Sequence, residues 1–240
     1  MTSSVLEPAG ATSAAVRRHY LMCRPDHFAV TYAINPWMDP AAGADAARAI
    51  EQWEALRAAY AGLGHEVSLI APEAGLPDMV FAANGALVVD GRVYGAAFAY
   101  AERAAEGPAY ADWFRRNGFA EVLNPVHTNE GEGDFLTLDH MILAGTGFRT
   151  GIAAHQEAQE FFGRPVLTLQ LVDPRFYHLD TALFPLTGDN VAYFPGAFSE
   201  GSRRLLRRLF PGALERALPL VVQAAARPGR RGQEGEGPEV

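Results

Sequence analysis

The sequence predicts an α/β protein assembled from a repeated module of two strands in a hairpin, a helix and a further strand. Three observations predict it. Tight-turn signals at Asp90-Gly91, Asp139 and Asp189-Asn190 each separate two short apolar runs. A stretch with helical spacing and then another short apolar run follow each turn. The whole pattern recurs at roughly fifty- to sixty-residue intervals, a period typical of propeller-like repetition. With 240 residues, 49% of them hydrophobic, the chain is long enough to bury a full core as one large domain.

In chain order, the run from Tyr20 to Tyr32 leads into Tyr32-Ala33-Ile34-Asn35-Pro36-Trp37-Met38, which reads as a strand entering a Pro-bounded loop. Asp45 to Gly62 reads as a helix, because Ile50, Trp53, Leu56 and Tyr60 fall on one face and Gly62 closes it. Glu66 to Ile70 follows as a strand. The first hairpin runs from Gly85 to Val89 and from Arg92 to Ala97. Ala109 to Asn117 is helical and ends at Asn117-Gly118, after which Val122-Leu123 opens a strand. The next round comprises Phe135 to Leu138, Met141 to Ala144, a helix from Ala153 to Phe162 and a strand from Val166 to Leu171. The last comprises Thr181 to Pro185, Val191 to Phe194 and a helix from Glu200 to Leu209. Beyond Phe210 the pattern stops, and residues 221–240, without an aromatic residue or apolar periodicity, read as disordered.

Composition excludes several functions. No run of about 18 apolar residues occurs, so no membrane span is expected. Residues 1–18 read as a flexible leader without the pattern of a signal peptide, and the expected location is the cytoplasm. The net charge is −8 and all 20 basic residues are arginine, which disfavours nucleic acid and suits a cationic small molecule. The histidines show no HxH or HxxxH spacing, and neither a GxGxxG nor a P-loop occurs, so no metal and no cofactor are expected.

Three motifs carry the chemistry: Pro77-Asp78-Met79-Val80-Phe81-Ala82-Ala83-Asn84-Gly85, Glu130-Gly131-Glu132-Gly133-Asp134-Phe135-Leu136 and His178-Leu179-Asp180-Thr181. Each adjoins an apolar run, so the polar residues can converge from strand ends. Taken singly they have plain structural readings: an Asx turn at Asp78, a turn at Asn84-Gly85, a tight bend around Gly131 and Gly133, a core position for His178, a surface position for Arg149. Together, in this order and spacing, they resemble the guanidine-modifying superfamily of dimethylargininases, arginine deiminases and amidinotransferases, and most closely actinobacterial dimethylargininase-like proteins.

The resemblance implies a pentein-type α/β propeller of ββαβ modules over residues 19–212, with 213–240 a divergent tail. It stops one module short of closure. It implies that His178 is the general acid/base and that Asp78 and Asp180 grip the guanidinium, with Asn84, Asp134, Asn35 and Arg149 as further substrate-binding positions. Asn84 stands where deiminases carry a second acid, and its amide oxygen would accept an N–H. Arg149 matches the position that pairs with a substrate carboxylate. The implied reaction is hydrolysis of a methylarginine to citrulline and a methylamine; arginine deiminase or dihydrolase, amidinotransferase and a non-catalytic binder are the alternatives.

Enzymes of this superfamily attack through a cysteine in the last module, whereas this chain holds one cysteine, Cys23, near its start. Cys23 reads as a small buried hydrophobe rather than a nucleophile. The 240-residue chain is therefore expected not to turn over its substrate. Either a lost reading frame near residues 212–220 or a naturally shortened homologue would produce this sequence, and the Ala/Arg/Gly/Pro/Glu-rich tail favours the first. Strands left without a neighbour would expose apolar surface, from which a homodimer is expected.

Overall fold

The structure, a computed structural model, describes residues 17–215. The expected leader, apart from Arg17 and Arg18, and the tail from 216 onwards lie outside those residues. Where the sequence suggests one domain, the described residues group into two compact units, 17–31 with 41–82 and 32–40 with 83–215.

The first unit is a β-α-β element. Strand β1 (His19–Cys23) runs parallel to β2 (Glu66–Ile70), pairing His19 with Glu66 through to Cys23 with Ile70, and α1 (Ala46–Gly62) connects them. Asp45 caps α1 by accepting the Arg48 N–H at 3.0 Å. Trp53 is buried, but Leu56, on the predicted apolar face, is 46% exposed. Asp78 is buried in this unit, on a 3-10 turn spanning Pro77–Val80.

The second unit repeats one pattern three times. An antiparallel hairpin is followed by a helix and a third strand parallel to the hairpin's second strand. The members are β3 (Ala86–Val89), β4 (Arg92–Gly95), α2 (Glu106–Arg116) and β5 (Glu121–Leu123); β6 (Phe135–Thr137), β7 (Ile142–Thr146), α3 (Ile152–Phe162) and β8 (Val166–Gln170); and β9 (Leu183–Thr187), β10 (Asn190–Tyr193), α4 (Glu200–Leu209) and β11 (Leu214–Glu215). The β3–β4 turn places Asp90 at φ 52° and Gly91 at φ 77°, the left-handed pair that a two-residue hairpin requires. Gly163, at φ 64°, closes α3 by returning its N–H to Gln159 O at 2.8 Å.

Two apolar clusters fill this unit. One joins Leu143, Leu169, Leu179, Leu183, Val191 and Leu206; the other joins Leu87, Tyr94, Phe135, Ile142 and Ala154. Strand β7 is buried along its whole length.

The described residues form a mixed α/β fold whose sheets are separate and open, the one in the first unit having two strands. Three expectations need correction. No strand enters the Pro-bounded loop: β1 ends at Cys23, and residues 32–38 form turns in which Asn35 Oδ1 accepts the Trp37 N–H at 2.9 Å and Pro36 offers no N–H for pairing. Helix α2 starts at Glu106, three residues ahead of expectation, where the Glu106 carboxylate is buried against Arg103. The stretch expected to be tail from 213 contributes β11, whose Leu214 and Glu215 pair with Ala192 and Tyr193.

Candidate active site

The second unit builds its polar centre by placing a 3-10 turn immediately before the first strand of each hairpin. Ala82–Gly85 precedes β3, Gly131–Gly133 precedes β6, and Leu179–Thr181 precedes β9. Asn84, Asp134 and His178 lie on or beside these turns and therefore share one end of three successive repeats. Two glycines permit the approach. Gly131, at φ 53°, passes so close to the backbone of Ala83 and Ala86 that an added Cβ would lie 2.6 Å from Ala86 O. A Cβ on Gly133 would lie 2.2 Å from Asn84 Nδ2 and 3.2 Å from His178 Nδ1.

His178 is 5% exposed and sits between two carboxylates. Its Nε2 lies 3.3 Å from Glu130 Oε2, and its Nδ1 lies 3.2 Å from Asp134 Oδ2. Burial opposes the imidazolium, but the charge and hydrogen-bonding capacity of Asp134 and Glu130 outweigh it and raise the pKa to about 9. His178 is thus a proton donor at neutral pH. For Glu130, burial works against ionisation, and His178, Arg149 and Arg103 overcome it and hold the carboxyl below its usual range. Asp180 responds in the opposite sense: loss of water raises its pKa to about 7, against the pull of the His178 charge and with the repulsion of Asp134.

A second layer of arginines surrounds Glu130. Arg149 Nη1 donates to Glu130 Oε2 at 2.9 Å and Nη2 to Ile34 O at 2.9 Å. Its guanidinium lies 4.7 Å from the Tyr100 ring centre and 4.8 Å from that of Tyr177. Arg103 forms a two-pronged pair with Glu106 at 2.9 and 2.7 Å, stacks 4.4 Å from the Phe98 ring centre, and donates through Nη1 to Asn84 Oδ1 at 3.1 Å.

Of the residues expected from the sequence, Asn84, Asp134, His178, Asp180 and Arg149 come together within this unit. Asn35 joins through its loop, since the preceding carbonyl of Ile34 receives Arg149, while its own side chain folds back on Trp37. Asp78 is buried in the other unit. The Asn84 amide oxygen already accepts from Arg103, and its Nδ2 is turned to Glu130 O at 3.4 Å and His178 Nε2 at 3.5 Å. Glu130, Arg103 and Thr150 were not singled out from the sequence. Glu130 offered a signal, as the acid that opens the Gly131/Gly133 motif.

Among the described residues no group of three or more His, Cys, Asp or Glu side chains has the geometry to hold a metal ion. No helix there is long and apolar enough to cross a membrane. A cleft of about 560 Å³ opens elsewhere in the second unit, between Gly95–Phe98, α2 and the 124–128 loop. Its lining includes none of the residues around His178.

No protein-family model matches the chain. An N(G),N(G)-dimethylarginine dimethylaminohydrolase from Mycobacterium tuberculosis is 48% identical over 218 residues, spanning 89% of this chain and 72% of the relative. A bifunctional arginine dihydrolase/ornithine cyclodeaminase from Nostoc sp. is 41% identical over 197 residues, which are 79% of this chain and 28% of that longer protein. The N-terminal domain of the cyanobacterial arginine dihydrolase ArgZ, solved as a cysteine-to-serine mutant bound to substrate, matches with a TM-score of 0.76 at 37% identity, covering 82% of this chain and 75% of that one. A dimethylarginine dimethylaminohydrolase adduct with S-methyl-L-thiocitrulline shares the fold at a TM-score of 0.68 and 20% identity, covering 84% and 77% of the two chains.

Proposed function

The chain belongs to the dimethylargininase family of guanidine-group hydrolases, and on that premise we propose that its His178 centre binds the guanidinium of an arginine derivative in the orientation used for hydrolysis of methylarginine to citrulline and methylamine. The observation that carries this reading is His178 held between Glu130 and Asp134 with Asp180 beside it. A guanidinium is a planar cation whose central carbon is a poor electrophile. A site that acts on it needs acceptors for its N–H groups and an acid for the departing amine. Asp180, when ionised, supplies acceptors, and His178 supplies the proton. Asp134 and Glu130 hold His178 as the acid. The roles of Asn35, Arg149 and Asp78 in binding rest on their motifs and on the family. The Nostoc dihydrolase, 41% identical, makes arginine itself the alternative substrate within the same family.

The propeller arrangement of the modules, and a single guanidine-modifying domain over 19–212, belong to the same proposal. Support comes from the threefold repeat of hairpin, helix and parallel strand. Self-association into a homodimer is proposed from sheet β11-β10-β9, where Phe184, Ala192 and Leu214 are cross-strand neighbours and Phe184 and Leu214 are 43% and 46% exposed. A small-molecule guanidino substrate and a cytoplasmic location complete the reading.

The first chemical step also requires a nucleophile, and the one cysteine of the 240-residue chain, Cys23, is fully buried on β1. We therefore propose that this chain by itself binds without turning over. In thermal unfolding, arginine and dimethylarginine should raise the Tm where norleucine, which lacks the guanidinium, does not. Equal protection by norleucine would refute guanidinium recognition. Citrulline release that vanishes in Cys23→Ser would overturn the inert reading of Cys23.

A further inference from the structure

We propose that Thr150 is a positioning residue of this site: its hydroxyl locks both carboxylate-bearing segments that flank His178, and so decides where the Asp134 charge stands. This rests on the reading of His178 as the proton-transfer group. Thr150 is 3% exposed and lies between the Arg149 position and α3. Its Oγ1 donates to Asp134 Oδ2 at 2.7 Å and accepts the Glu130 N–H at 3.1 Å. One hydroxyl therefore satisfies a backbone donor of one acidic residue and a carboxylate oxygen of the other. Asp134 Oδ2 is the oxygen that faces His178 Nδ1 at 3.2 Å. The other oxygen, Oδ1, accepts the Leu179 N–H at 3.1 Å, so the carboxylate is fixed at both ends.

Thr150 is itself held from behind. Thr146 Oγ1 donates to Thr150 O at 2.7 Å, and the following Gly151 N–H reaches Thr128 O at 3.0 Å. Between them Gly147, at φ 133°, brings the loop so close to Leu171 that an added Cβ would lie 2.5 Å from Leu171 O. The hydroxyl thus stands on a braced loop, with no slack to follow a carboxylate that moves.

Without that hydroxyl, Oδ2 loses its 2.7 Å donor in a dry environment, and the carboxylate, held then at Oδ1 by the Leu179 N–H, is free to swing Oδ2 toward another partner. That motion carries negative charge away from Nδ1. The groups that face His178 are Glu130 and the Asn84 amide at Nε2, Asp134 at Nδ1, Asp180 as a further ionisable neighbour, and the Tyr177 ring at 4.9 Å between centroids. Arg149 and Arg103 act on it through Glu130. Only Asp134 is touched by Thr150 through its side chain.

The test is an NMR titration of the His178 imidazole in the ligand-free 240-residue chain, with the signal assigned by its loss in His178→Asn. Wild type is compared with Thr150→Val, Thr150→Ser and Asp134→Asn, and circular dichroism confirms that each variant is folded. The expected result is a His178 pKa lowered by about one pH unit or more in Thr150→Val, in the direction of Asp134→Asn. Thr150→Ser, which keeps the hydroxyl, should titrate as wild type. A purely structural Thr150 would lower the Tm of the valine variant and leave the titration alone. An unmoved pKa in folded Thr150→Val, or a lowered one in folded Thr150→Ser, overturns the inference while leaving the site reading intact. A wild-type pKa at the ordinary histidine value would overturn both, since Asp134 would then not be pressed against His178.

Discussion

Replacing His178 by Asn should change how stability depends on pH, by an amount that the structure sets. The His178 pKa rises from its ordinary 6.5 to about 9 on folding. A raised folded pKa means the native state holds a proton that the unfolded chain has released. The stabilisation is therefore complete below pH 6.5 and is lost as pH climbs through 9. At ~1.36 kcal/mol per pH unit, this interval corresponds to about 3 kcal/mol. His178 is 5% exposed, so screening by water takes little from that figure. Asp180, raised from 3.8 to about 7, completes its titration at the lower end of that window and also favours the protonated form there. The comparison is therefore cleanest in an Asp180→Asn background.

The assay is chemical denaturation at intervals from pH 6 to pH 10, with and without His178→Asn. The histidine-containing protein should lose stability relative to its Asn counterpart with a slope approaching ~1.4 kcal/mol per pH unit in the middle of the range. A difference that stays flat between pH 6.5 and 9 would mean that Glu130 and Asp134 do not hold the imidazolium. The acid role assigned to His178 would then lose its physical basis.

Gly133→Ala should be felt at the site more than in the fold. The new methyl meets Asn84 Nδ2 and His178 Nδ1, so ligand protection by arginine should vanish while overpacking costs about 1–3 kcal/mol, a Tm loss of several degrees; retained protection would show that Asn84 can move away harmlessly. Phe184→Asp with Leu186→Asp should convert associated protein to monomer in sedimentation velocity, because these side chains, 43% and 54% exposed, form the open apolar face of β9. A wild type that stays monomeric at every concentration would remove the homodimer from the reading.

The parts of the fold that were legible from sequence are those whose cause is local. The Asp90-Gly91 hairpin follows from two residues that tolerate left-handed angles, and α4 begins and ends at Glu200 and Leu209 as the sequence predicts. The errors arise where a particular polar contact or a pairing strand, rather than apolar spacing, decides. Helix α2 starts early because Glu106 is buried against Arg103, a pairing that helical spacing does not register. Strand β11 is two residues long and exists through β10, so no pattern of its own announces it. The run at Tyr32–Met38 is apolar enough for a strand, yet Asn35 and Pro36 turn it. At the site, the motifs identified residue types by chemistry and order. Glu130, Arg103 and Thr150 acquire their importance from partners 16 to 48 positions away, among them Asp134, Arg149, Asn84 and His178.

In the proposed reaction, the charges around His178 suit one half of the proton-transfer cycle. An imidazole with a pKa of about 9 is a ready acid at neutral pH and a reluctant base. Serving as a base would require an added positive charge nearby to offset Glu130 and Asp134. A bound guanidinium is such a charge. It would also favour ionisation of Asp180, whose pKa of about 7 lets the carboxyl go either way near neutrality. In the proposed function substrate binding and proton redistribution would therefore be coupled: the cation would favour the Asp180 carboxylate proposed to grip it and, by the same field, would loosen the proton on His178. The buried Arg149–Glu130 pair contributes a fixed counter-charge on the far side, keeping Glu130 ionised whether or not a cation is bound. A site with Glu130 neutralised would lose this balance, since Nε2 would then face a hydrogen-bonding group without charge, and the preference of His178 for its acid form would rest on Asp134 and the hydroxyl of Thr150 that holds it in place.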